Sequence, residues 1–208
     1  MLHISQFEKY YQGRLALQVP SLALSRGVYW IRGANGSGKS TLLKALAGVL
    51  DFKGKVLLDE MLDLKKQPVG YRRRVNFAEA EPIFPEFLTG REMCALFAAA
   101  KQAPAGQEGH YLESIGLQND LDRPVGGYSS GMLKKLSLVL AFLGQPAWIL
   151  LDEPLITMDT AALAVLNTWI RDQYAAGVSF LLSSHQPLET GSLPALQTLL
   201  VENNTVNF

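Results

Sequence analysis

The nine residues from Gly33 to Thr41, GANGSGKST, concentrate glycines, a lysine and hydroxyls. Glycine in a helix interior costs about 1 kcal/mol relative to alanine, so the stretch is not built for helix. It fits G-x-x-x-x-G-K-[ST], with Gly33, Gly38, Lys39 and Ser40 at the defined positions. That spacing suits a phosphate. Glycines let the backbone turn its N–H groups inward, the lysine can reach β- and γ-phosphates, and the serine can ligate Mg²⁺. Asn35, Gly36 and Ser37 complete the nucleotide-binding run, and a helix from Thr41 onward would add the positive end of its dipole. A side chain at the glycine positions would fill the space that phosphates need. The substrate expected is a nucleoside triphosphate.

WILLDEP places Asp152 and Glu153 at the end of an apolar run that reads as a buried strand. Ligands of open α/β sheets bind outside the carboxyl ends of strands. Asp152 suits holding Mg²⁺, and Glu153 suits polarising an attacking water as general base. LLSSH ends a second such strand in His185, within reach of a γ-phosphate. GGYSSGMLKKLSL puts glycines and hydroxyls ahead of a helix, a second helix-terminus anion site. One nucleotide does not need two.

These residues require elements to carry them. RGVYWIRG runs into the glycine loop, and STLLKALAGVL follows at helical spacing. KVLLD and RRVNFA read as strands, with Arg72–Arg74 a solvated strand edge. TGREMCALFAAAK, EGHYLESIGL and GMLKKLSLVLAFLG read as helices; the stretch 85–122 looks like a helical insertion beside the sheet. AWILLDEP and VSFLLSSH are short strands around the helix TAALAVLNTWIRDQYAAG. Alternating strands and helices imply an α/β fold with a largely parallel sheet. The formal net charge of zero argues against nucleic acid as main partner. The uncharged run Leu136–Leu151 is broken by Gly144, Gln145 and Pro146 and is too short to span a membrane. Cys94, the single cysteine, lies in an apolar run and reads as a buried, inert thiol, in keeping with a reducing compartment.

The order of these motifs resembles the nucleotide-binding domain of ATP-binding cassette (ABC) transporters across essentially the whole chain. The resemblance implies a P-loop NTPase fold: a mainly parallel core sheet, an antiparallel N-terminal β subdomain and a helical subdomain. It implies one domain over 1–208, with the helical part at about 85–140. It makes the second helix terminus the signature motif, Tyr128, Ser129, Ser130, Gly131 and Met132, which completes the ATP site of an opposite subunit. Asp159 becomes the D-loop aspartate, His185 the switch histidine, and Tyr11 (or Tyr10) the aromatic that stacks on adenine. The implied function is ATP hydrolysis, with Mg²⁺, driving transport through a permease on a separate chain. The chain would then lie in the cytoplasm at the inner face of the membrane, dimerising with itself or another cassette when ATP binds. A soluble ABC ATPase acting on DNA or ribosomes is the alternative.

This sequence departs from the family twice. The signature carries Ser130 for glycine and Met132 for glutamine; the serine adds a side chain where space is tight, which predicts tolerance with weaker or slower closure. In VNFAEAEPIFPEFLTGRE the Q-loop glutamine position falls on Ala80, with Glu79 or Glu81 as substitute oxygen ligands.

Overall fold

A computed structural model describes residues 1–184, 193–194 and 196–208. The chain opens with β1 (Leu2–Tyr11) and β2 (Arg14–Leu24), an antiparallel hairpin. Its turn is Gln12–Gly13, both at positive φ (49° and 78°), the twist that two-residue hairpin loops require. β4 (Lys53–Leu58) and β5 (Leu62–Asp63) extend this sheet in the order β2-β1-β4-β5. KVLLD is therefore a strand of the antiparallel layer.

The second sheet is built from β3 (Val28–Arg32), β6 (Val75–Ala78), β7 (Trp148–Leu151), β8 (Ser179–Ser183), β9 (Leu196–Glu202) and β10 (Thr205–Asn207). Its order is β10-β9-β3-β8-β7-β6, and every neighbouring pair is parallel except β10 with β9. All residues of β7 and β8 are buried, as expected of parallel strands covered on both faces. The side-chain period of two divides β7 between the faces. Trp148 and Leu150 join the cluster containing Leu42, Leu43, Phe7 and Tyr29; Ile149 and Leu151 join that of Leu136, Val139 and Trp169.

Helix α1 (Lys39–Leu46) packs in the first cluster with the antiparallel sheet. On the other face lie α3 (Gly90–Lys101), α4 (Gln107–Ser114), α5 (Ser130–Ala141) and α6 (Thr160–Ala175). α3 begins with a reciprocal cap: Thr89 Oγ1 accepts from the Glu92 N–H, and Glu92 Oε2 accepts from the Thr89 N–H. Tyr111, Phe142 and Trp169 pack ring against ring at the centre of this layer.

The expected strand RRVNFA begins only at Val75; Arg72–Arg74 form the last turn of α2 (Pro68–Arg74). Proline at the first helical turn has the right φ, and basic residues suit a helix C-terminus, so helix wins over the β-like text. Cys94 is buried and free, and burial pushes its thiol up to about 11, which keeps it protonated and unreactive at neutral pH.

Candidate active site

The phosphate loop leaves β3 at Arg32 and enters α1 at Lys39, two residues earlier than the sequence predicts. Gly38 caps the helix at φ 111°, and Gly36 sits at φ 75°, backbone that L side chains rarely adopt. Gly33 is constrained differently from the expectation. A Cβ there would lie 2.4 Å from the Val201 carbonyl of β9 and 2.5 Å from Ser37 Oγ, so the loop's own packing excludes it. Lys39 is buried and donates to the carbonyls of Gly33 (2.8 Å) and Ala34 (3.1 Å). The buried Ser37 hydroxyl makes no hydrogen bond among the described residues. A buried hydroxyl is costly without a partner, and a phosphate oxygen would satisfy it.

The ends of three elements meet across the sheet. Ser40 Oγ donates to Asp152 Oδ1 at 3.0 Å, and Ser183 Oγ donates to the same oxygen at 2.6 Å. The Glu153 N–H donates in turn to Ser183 Oγ at 2.9 Å. The parallel pairing of Leu151 with Leu182 sets these strand ends side by side. Asp152 and Glu153 are 1% and 5% exposed, and Glu153 holds a positive φ of 45°. Such backbone costs on the order of 1–3 kcal/mol and collects at functional sites. Ser183 was missed in the sequence; its signal was a hydroxyl pair between a buried strand and a histidine. His185 lies outside the described residues.

A cavity of about 560 Å³ opens over the loop, lined by Asn35 to Thr41 with Tyr11, Leu15, Ala16 and Asn204. Of the two tyrosines only Tyr11 lines it. Tyr10 donates to Glu8 (3.2 Å), and Lys53 sits 5.0 Å above its ring.

The serine-rich terminus of α5 stands apart. Ser129 caps α5, accepting from the Met132 N–H at 3.2 Å, and Ser129 and Ser130 are exposed. A Cβ on Gly131 would come 3.4 Å from the Thr157 carbonyl. Among the described residues no hydrogen bond joins Ser129–Met132 to Gly33–Thr41, and α1 and α5 occupy opposite faces of the parallel sheet. Asp159 caps α6 through the Ala162 N–H (2.7 Å) and pairs with Lys135 Nζ (3.3 Å). The Ala162 bond first, and Lys135 next, hold its carboxyl below the ordinary aspartate range.

Ala80 follows β6 and offers no side-chain ligand. Glu79 pairs with Lys44 of α1 at 3.3 Å, and Glu81 is exposed. Lys134 was not foreseen. It is 1% exposed and donates to the carbonyls of Glu79 (2.8 Å), Ala80 (3.1 Å) and Asp152 (2.9 Å). Burial pushes its ammonium down to about 8, opposed by the carboxylates of Asp152, Glu153 and Glu79. Its signal was position: Lys134, Leu138 and Ala141 fall on one buried helical stripe.

The model of the ABC transporter family matches residues 17–156, from β2 through the strand end that carries Asp152 and Glu153. The chain belongs to the ABC transporter family. It is 31% identical to the cytochrome c biogenesis ATP-binding export protein CcmA of Legionella pneumophila (strain Lens) over 90% of this chain and 94% of that protein. It is 29% identical to ATP-binding cassette sub-family A member 7 of Rattus norvegicus, matching 97% of this chain but 10% of that much longer protein. A solved ATP-binding subunit of an ABC transporter superposes with a TM-score of 0.88 at 25% identity, covering all of this chain and 88% of its own. A nucleotide-free ATP-binding cassette, at 21% identity and a TM-score of 0.78, shares the fold. The P-loop NTPase architecture expected from the sequence is thus borne out, and the protein is an ATPase and the ATP-binding subunit of an ABC transporter. These likenesses give no support to the soluble alternative. No helix among the described residues is long and apolar enough to cross a membrane.

Proposed function

We propose that this chain hydrolyses Mg·ATP at the cytoplasmic face of a membrane and passes the resulting motion to a permease on a separate chain. The observation that carries the reading is the convergence of Ser40, Asp152, Ser183 and the Glu153 backbone at the mouth of the phosphate loop. Ser40 and Asp152 would hold Mg²⁺, whose charge offsets that of the phosphates. The described residues contain no cluster of three His, Cys, Asp or Glu side chains fit for a metal, so phosphate oxygens would supply its other ligands. Lys39, now bound to loop carbonyls, is placed to exchange them for phosphate oxygens. Glu153 takes a proton as a water oxygen bonds to the γ-phosphorus; the bond from that phosphorus to the bridging oxygen breaks, leaving ADP and phosphate. His185 is assigned to the γ-phosphate by the family resemblance, and Tyr11 to the adenine ring.

Ser129, Ser130, Gly131 and Met132 make no hydrogen bond to the phosphate loop among the described residues. We assign them to the ATP of a second cassette, identical or different, in an ATP-dependent dimer. One domain then carries a core and a helical subdomain of about 85–140. For the permease, a groove of about 360 Å³ lies between Val49, Phe77, Ile83, Phe84, Phe97 and Leu140, with Ile83 91% exposed. An apolar surface beside the Ala80 segment suits a cytoplasmic segment of the membrane chain. Copurification from solubilised membranes tests this assignment. A multi-span membrane protein should accompany the chain, and Ile83→Asp should release it while leaving ATP binding intact. Recovery with ribosomes or DNA, and no membrane protein, would overturn it.

A further inference from the structure

Lys134 is the most fully buried cation of the described residues, and all three of its ammonium N–H donors are used. Burying an ammonium is expensive, and an apolar residue of similar length would fill the same space at lower cost. What the lysine adds is a specific linkage. Its backbone lies in α5, five residues after the Ser129 cap. Its ammonium grips the main chain at the end of β6, at Glu79 and Ala80, and the main chain of Asp152 at the end of β7.

Three places are thereby joined: the start of α5, the segment beside the apolar groove, and the backbone of the residue whose carboxylate accepts from Ser40. Ala80 has no side-chain oxygen or nitrogen with which to report its position, so contact with that residue is made through its carbonyl. We propose that Lys134 is a positioning residue for hydrolysis, coupling the serine-rich terminus of α5 to Asp152 through the main chain at Ala80. It substitutes for a polar side chain at position 80. This rests on the ATPase reading of the same site. A Lys39→Ala control tests that reading separately, because it should abolish the chain's hydrolysis whatever Lys134 does.

The full chain is compared with Lys134→Met, which keeps length and loses every N–H donor, and with Lys134→Gln, which keeps an amide donor pair. Supporting groups around a metal site change activity by about 10- to 100-fold. Lys134→Met should lower kcat by that amount while KM for Mg·ATP stays within about threefold. Lys134→Gln should fall between Lys134→Met and the parent. Adding Ala80→Gln should raise kcat by a larger factor in Lys134→Met than in the parent, because only coupled positions depart from additivity, whereas a merely destabilised fold would show the same factor in both. All rates are taken well below each variant's Tm and scaled to folded protein. A Lys134→Met kcat within twofold of the parent would overturn the proposal, as would a gain from Ala80→Gln no larger in Lys134→Met than in the parent. If Lys134→Met does not fold, Lys134→Gln carries the test with and without Ala80→Gln; if neither folds, the role is structural and the proposal fails.

Discussion

The phosphate loop and the start of α5 are both helix N-termini rich in glycine and hydroxyls, yet the fold treats them oppositely. At the loop the polar groups converge: Ser40 and Ser183 meet on Asp152, and Ser183 holds the Glu153 backbone. At α5 the serines face outward, and the Ser129 hydroxyl does no more than cap its own helix. A helix terminus becomes a site when other elements close around it. The loop receives that closure from β7, β8 and β9 within the chain. In the reading proposed above, the start of α5 receives it from a second cassette.

The largest expected effect lies on the closed side. Glu153→Gln should reduce turnover by about 10²–10⁴-fold, the usual cost of losing a general base, while ATP binding persists. The amide removes a negative charge near the γ-phosphate, so an ATP-held dimer should accumulate on sizing chromatography. Undiminished hydrolysis would erase the distinction between the two termini.

The open side is tested by Ser129→Asp. Aspartate caps helices as well as serine, so α5 should keep its stability. Its carboxylate would oppose a partner's phosphate and replace a hydrogen bond to a charged group, a class worth about 1.5–3 kcal/mol. ATP-dependent dimerisation of the Glu153→Gln protein should therefore weaken at least tenfold (about 1.4 kcal/mol). Nucleotide binding to the monomer should not change. Without nucleotide the unsubstituted chain should run as a monomer or weak dimer. A tight dimer indifferent to Ser129→Asp would show that α5 faces something other than ATP.

A smaller effect separates the neighbouring tyrosines. Aromatic stacking contributes about 0.5–1.5 kcal/mol beyond area burial, so Tyr11→Ala should weaken ATP binding about two- to tenfold. Tyr10→Ala, on a ring held by Lys53 and Glu8, should leave it unchanged by calorimetry.

The smallest concerns the loop after β6. Ala80→Gln should raise hydrolysis a few-fold and tighten Mg·ATP binding by adding an oxygen ligand. Glu79→Ala and Glu81→Ala should matter little, since Glu79 is engaged with Lys44 and Glu81 is exposed. A large loss in either alanine variant would mean that a carboxylate has taken the ligand role. No change in rate or Mg²⁺ dependence in all three would detach this loop from the metal.

The phosphate loop, the acidic strand end WILLDEP and the alternation of strands and helices were legible in the sequence. Each is a contiguous pattern whose chemistry or periodicity is carried by near neighbours along the chain. The helical nature of Arg72–Arg74 was hidden because a short basic and apolar run satisfies either period, and Pro68 decided it. Ser183, the choice of Tyr11 over Tyr10 and the role of Lys134 depended on tertiary structure. Ser183 matters because β8 lies beside β7, and Tyr11 because its side chain, unlike that of Tyr10, lines the loop cavity. Lys134 reads locally as one more helix lysine. Its buried state becomes tolerable only when carbonyls from residues 55, 54 and 18 positions away close around it. The solvation of a charge is set by whatever the fold brings to it, and a sequence pattern of near neighbours does not contain that information.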